Sequence, residues 1–191
     1  MNIKTLVIFA SGSGSNTETI VRFFQSRKDV KISLILSNRS DAYVHTRARN
    51  LGVPSETFTR EEFHSEAFVK KLVSTGADLI VLAGFLWLIP AAIVQAFPNR
   101  ILNIHPALLP KYGGKGMYGD RVHRTVIENK EKESGISIHY VNEKYDEGDI
   151  IFQAKCPVLP DDTPESLAAR VHALEYEHFP KVIERLLEVV R

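Results

Sequence analysis

Ile3-Lys-Thr-Leu-Val-Ile-Phe-Ala-Ser-Gly-Ser-Gly-Ser-Asn16 is the stretch that decides the fold class. Ile3–Ala10 is a short, mostly apolar, β-branched run of the kind a strand covered on both faces needs. Ser11–Ser15 is small and glycine-rich, and a helical pattern over Asn16–Gln25 follows at once. Strand, glycine loop and helix in that order open a βαβ unit.

Working outward, Ile32–Ser37, Leu79–Ala83 and Ile101–His105 read as further buried strands. Helices are expected between them. Ala42–Asn50 has Asp41 as its N-cap and Gly52 just past its end. Arg60–Thr75 opens on the capping box Thr59-x-x-Glu62 and stops at Gly76. The alternation predicts a Rossmann-like α/β fold, a mostly parallel open sheet with helices on both faces. The second half differs. Leu108–Arg121 is a long glycine-rich loop, Val122–Asn129 a short helix, and Gly135–Val141 and Ile150–Val158 neighbouring strands. Thr163-Pro164 opens a long C-terminal helix that Pro180 should kink or divide. Without repeat or linker, residues 1–191 are expected to form one domain.

The 191 residues carry a formal net charge of +1, with 44% hydrophobic and 25% charged side chains. That balance gives no global attraction to nucleic acid or membrane. Cys156 is the sole cysteine, so an intramolecular disulfide and a thiol-rich metal site are excluded. The first ten residues lack a signal-like apolar stretch, and a cytoplasmic protein is expected.

Two segments carry chemistry. In Ser11–Asn16 glycines allow close backbone approach, and the free N–H groups of the helix start favour one phosphate. A nicotinamide dinucleotide fits poorly, because Thr17 replaces the third fingerprint glycine and Ser37-Asn38-Arg39 supplies no ribose-binding acid. The other segment is Asn103-Ile104-His105-Pro106. Residues two apart on a strand face one way, so Asn103 and His105 project together beside Ile101, while Leu102 and Ile104 face the opposite layer. An amide and an imidazole at a strand end can donate to an oxyanion and pass a proton, which suits acyl-type transfer. A carboxylate would complete the group, and Glu143, Asp146, Glu147 and Asp149 are all candidates in the polar loop Asn142–Asp149. His123 and His139 are weaker candidates, and no histidine spacing suggests a metal.

SGSGSN, LAGF at Leu82–Phe85, NIHPALLPKY at Asn103–Tyr112 and YDEGDII at Tyr145–Ile151 occur in one order. Together they resemble the folate-dependent formyltransferases, in the branch acting on glycinamide ribonucleotide, from about Ile3 to Ile183. The resemblance implies formyl transfer from 10-formyltetrahydrofolate, as co-substrate and without metal, to that nucleotide's amine in purine synthesis. It selects Asp146 from the four acids, to act with Asn103 and a protonated His105 on a tetrahedral intermediate. It puts the nucleotide on Gly14, Ser15, Asn16 and Glu175. It puts the folate along Leu86, Trp87, Leu88 and Ile89, along Asn142, Glu143, Lys144, Tyr145 and Asp146, beside Asn103, with Arg60 near the folate tail. Trp87 stands where many relatives carry arginine or another long side chain. The resemblance also allows a homodimer. Alternatives are a formyltetrahydrofolate hydrolase, the methionyl-tRNA formyltransferase or a non-catalytic phosphate-binding module; the first two usually carry an extra domain, which this chain is not expected to hold.

Overall fold

The computed structural model describes residues 3–189. Its strands are β1 (Lys4–Phe9), β2 (Val30–Ser37), β3 (Ser55–Thr57), β4 (Leu79–Leu82), β5 (Ile101–His105), β6 (Glu133–Tyr140) and β7 (Ile150–Pro157). They form one seven-stranded sheet in the order β3-β2-β1-β4-β5-β6-β7. The pairings from β3 to β5 are parallel, and β6 and β7 add antiparallel. The helices are α1 (Ser15–Phe24), α2 (Val44–Leu51), α3 (Arg60–Phe63), α4 (Glu66–Ser74), α5 (Ala91–Ala96), α6 (Asp120–Glu128) and α7 (Pro164–Val189). This is the mostly parallel α/β sheet that the strand–loop–helix pattern predicts.

The sheet divides the apolar interior in two. Along β1, Leu6 and Ile8 join one core with Ile20, Val126, Val171 and Phe179 from α1, α6 and α7. Val7 and Phe9 join the other, with Phe63, Phe68 and Ile93. Alternation along a strand produces this split, because successive side chains face opposite layers. From β1 the chain first builds outward to β2 and β3, then crosses back to β4 on the other side. Strand order therefore reverses between β1 and β4, and such a reversal opens a crevice beyond the strands' carboxyl ends. The loops after β1 and β4 meet there: Ser11 N–H donates to Gly84 O at 3.0 Å, and Leu86 N–H to Ser11 Oγ at 3.1 Å.

Several boundaries differ from expectation. Arg60–Thr75 is two helices, not one. The Thr59 capping box forms as expected, but Ser65 accepts from Phe68 N–H and starts a second helix. A good N-cap residue inside the pattern thus restarts it. Asp41 does not cap α2; Tyr43 stands at that position, and Asp41 pairs with Arg39 at 2.8 Å. Gly52 ends α2 in the left-handed region at φ 70°, as expected. Pro180 does not divide α7, which runs 26 residues through it. Phe179, Val182 and Ile183 on either side are fully buried, so packing outweighs the ~3 kcal/mol an internal proline costs. β3 and α5 have no counterpart in the sequence pattern: β3 is a largely exposed three-residue edge, and α5 spans only six residues. Cys156 on β7 is buried in the core under α7, and burial pushes its thiol pKa up. Among the described residues no helix is long and apolar enough to cross a membrane.

Candidate active site

Ile101 packs in the Phe-rich core, while Leu102 and Ile104 lie in the other. The alternation therefore places Asn103 and His105 on the Ile101 side. The segment after His105 is held down by Ser137 of β6, whose hydroxyl donates to Ala107 O at 2.7 Å and accepts from Leu109 N–H at 2.9 Å. The Leu109–Pro110 bond is cis.

His105 is buried. Its Nε2 lies 2.7 Å from Tyr112 O, and its Nδ1 lies 3.5 Å from Asp146 Oδ2. A carbonyl can only accept, so this network assigns the proton to Nε2 and leaves Nδ1 free to gain one. Burial pushes the His105 pKa below its ordinary value, with His139 acting in the same direction; Asp146 and the Tyr112 carbonyl raise it but do not compensate. The expectation of a protonated His105 is thus corrected. Asp146 does pull that way, but desolvation dominates.

Asp146 comes from the β6–β7 connection, which folds back over β5. Its backbone is left-handed at φ 55°. The carboxylate accepts Gly114 N–H at 2.9 Å and Asn103 Nδ2 at 3.3 Å. Burial raises the Asp146 pKa, but His139, His105 and Gly114 N–H together bring it below the ordinary value. The connection is shaped by Gly148, where a Cβ would meet Tyr140 O at 1.7 Å.

A fourth group belongs to this cluster. His139 is paired with Asn103 across β5 and β6. Its Nδ1 lies 2.8 Å from Tyr140 O, and its Nε2 lies 3.0 Å from Asn103 Nδ2 and 3.6 Å from Asp146 Oδ1. With Nδ1–H given to the carbonyl, Nε2 accepts from the amide and fixes its orientation. Sequence reasoning ranked His139 low. Alternation shows that it faces inward, but only the strand register shows that it faces Asn103.

The other expected positions divide. Gly14 is the left-handed N-cap of α1, so Ser15 and Asn16 lie in the first turn, where N–H groups lack intrahelical partners. Asn16 Nδ2 donates to Glu175 Oε2 at 2.8 Å, which joins the loop to α7. Glu175 is buried, and burial raises its pKa. The two expected folate segments meet through Leu88 N–H, which donates to Tyr145 Oη at 3.1 Å. Leu86 is exposed and Ile89 buried. Asn142 Oδ1 accepts Lys144 N–H at 2.9 Å, shaping its own loop. Glu143 reaches Gln95 at 3.3 Å, and Lys144 pairs with Glu147 at 3.1 Å, both on the surface. The Arg60 guanidinium stacks 4.7 Å from the Trp87 ring centroid. A cavity of about 660 Å³ opens on Tyr145 and Asp146, walled by Gly113, Gly114 and Ile150.

Residues 4–183 match the family model described as formyl transferase. The chain belongs to the formyl transferase family. Within that family it is 38% identical over 192 residues to the phosphoribosylglycinamide formyltransferase of Haemophilus influenzae, covering 97% of this chain and 88% of that protein. It is 40% identical over 195 residues to the chloroplastic phosphoribosylglycinamide formyltransferase of Arabidopsis thaliana, covering 97% of this chain and 66% of the plant protein. A solved formyl transferase structure, glycinamide ribonucleotide transformylase 1 from Symbiobacterium toebii, superposes with a TM-score of 0.87 at 35% identity, covering 97% and 88% of the two chains. The family is one of enzymes, and the amide, imidazoles and carboxylate gathered around Asn103 can together donate to an oxyanion and move a proton.

Proposed function

We propose that this chain transfers the formyl group of 10-formyltetrahydrofolate to the amine of glycinamide ribonucleotide in the cytoplasm, as a step of purine synthesis. The observation that carries the reading is the convergence of Asn103, His105 and Asp146 at the end of β5. The names of the similar proteins support formyl transfer to glycinamide ribonucleotide, and the sequence resemblance supplies the folate as donor.

In this reading the nucleotide phosphate sits on the N–H groups of Gly14, Ser15 and Asn16, and Glu175 holds the same substrate from α7. The folate lies along Leu86–Ile89 and Asn142–Asp146. The amine nitrogen attacks the formyl carbon, and the carbonyl oxygen becomes an oxyanion. Asn103 keeps one Nδ2–H on His139 and turns the other from Asp146 to the oxyanion, a contact worth roughly 3–4 kcal/mol in the transition state. His105 enters neutral, takes the proton released by the amine on Nδ1, and becomes an imidazolium paired with Asp146. It then returns the proton to folate nitrogen N10 as the bond from N10 to the formyl carbon breaks. Atoms and charge balance without a metal or a covalent enzyme intermediate.

The test supplies 10-formyltetrahydrofolate with and without glycinamide ribonucleotide and follows tetrahydrofolate release. Release that depends on the nucleotide is expected. Equal release without it would mean water is the acceptor and the protein a hydrolase; no release in either case would remove the enzyme reading.

A further inference from the structure

The Ser11–Asn16 loop is tied down from outside, through its carbonyl oxygens. Val44 N–H, at the start of α2, donates to Gly12 O at 3.1 Å. Arg47, further along α2, donates Nε–H to Ser13 O at 2.8 Å. Nothing separates loop and helix: a Cβ on Gly14 would lie 2.5 Å from Val44 Cγ2.

A trans peptide is planar, and its C=O and N–H point in opposite directions. A carbonyl held toward α2 therefore aims the next N–H away from α2. Val44 sets the Ser13 N–H in this way, and Arg47 sets the Gly14 N–H. The Arg47 guanidinium is itself fixed. It pairs with Glu18 in the first turn of α1 and lies 5.1 Å from the Tyr43 ring centroid. Glu18 is held in turn by Arg22 at 2.7 Å. Arg47 thus spends its charge on the outer side of the loop.

We propose that Arg47 is a positioning residue for nucleotide binding, acting through the Ser13 carbonyl to aim the Gly14 N–H at the substrate's phosphomonoester. The inference rests on the reading of Gly14–Asn16 as the phosphate site. Glutamine offers a sharp test, because its Nε2 occupies the same place along the side chain as arginine Nε. Arg47→Gln keeps the donor and loses the charge, whereas Arg47→Met keeps the bulk and loses both.

The experiment measures the Kd of glycinamide ribonucleotide by titration calorimetry, with kcat and both Michaelis constants alongside. Arg47→Met is expected to weaken nucleotide binding by about tenfold, the scale of one lost hydrogen bond. Its kcat and its Michaelis constant for the folate should stay within about twofold, since the chemistry lies elsewhere. Arg47→Gln should bind within about threefold of wild type, which a purely electrostatic role would not allow. Equal weakening in both variants, or none in Arg47→Met, overturns the proposal. Gly14→Ala, whose Cβ would strike Val44 and displace the phosphate-facing N–H groups themselves, separates the two readings. If it weakens binding and Arg47→Met does not, the phosphate site stands and this inference falls. A wild-type protein that does not bind the nucleotide overturns both.

Discussion

Burial and a neighbouring carboxylate pull the His105 proton affinity in opposite directions, and burial prevails. The consequence is a base rather than a standing acid. A base must be unprotonated to act, so kcat/KM should fall as pH drops through the His105 pKa, below the ordinary 6.5. Asp146 opposes the lowering, so Asp146→Asn should move this acid limb to still lower pH. The same variant, and His105→Ala, should each lower turnover at least ~100-fold, as expected when a transition-state contact is lost. A pH–rate series on wild type and Asp146→Asn checks both points; an acid limb that moved upward would refute the assignment. Much at this scale was legible. Strand alternation paired Asn103 with His105, and the carboxyl end of a strand marked them as a site. Choosing Asp146 needed the family resemblance, because four acids in one polar loop look alike without their three-dimensional fold. His139 escaped because cross-strand register is set by the hairpin, which spacing along one chain does not reveal.

Among the elements, the β6–β7 connection has the hardest task, since it must turn back across β5 and hold Asp146 in the left-handed region. That conformation costs roughly 1–2 kcal/mol for a non-glycine residue. Gly148 makes the path possible, two residues on, because only its missing Cβ lets the chain pass Tyr140 O. Gly148→Ala should therefore displace the loop and lower turnover by at least ~tenfold, in keeping with the sensitivity of catalysis to small misplacements. Circular dichroism should still report a folded sheet, and unaltered turnover would show that the loop is not what positions Asp146. The parallel strands were readable because burial on both faces leaves short apolar runs. The exposed edge strand β3 carries no such signal. The division between α3 and α4 turns on Ser65, one capping side chain inside an otherwise helical pattern.

At the scale of the molecule, α6 and α7 pack on one face of the sheet and bury His123 against His172. His123 Nδ1 has no hydrogen-bond partner among the described residues. Burial, then the proximity of His172, pushes its pKa from 6.5 down to about 4. The unfolded chain takes up this proton near pH 6.5 and the folded protein only near 4. Between those values the unfolded state binds more protons, so the contribution is complete above 6.5 and is lost as pH falls toward 4. Thermal melting of wild type and His123→Gln at pH 7 and pH 5 should show a smaller loss in the variant. Equal losses would mean that His123 is not the titrating group.

The other buried oddity of that core is Cys156, the chain's single thiol. Thiolate is the form that alkylating reagents attack, and burial keeps this one scarce and shielded. A fluorophore-maleimide should therefore pass over the native protein. One new surface cysteine would label cleanly without first removing Cys156. Tyr118, 53% exposed in the long loop between β5 and α6, is a convenient place for it: Tyr118→Cys would carry a reporter whose emission follows that loop as each substrate is added.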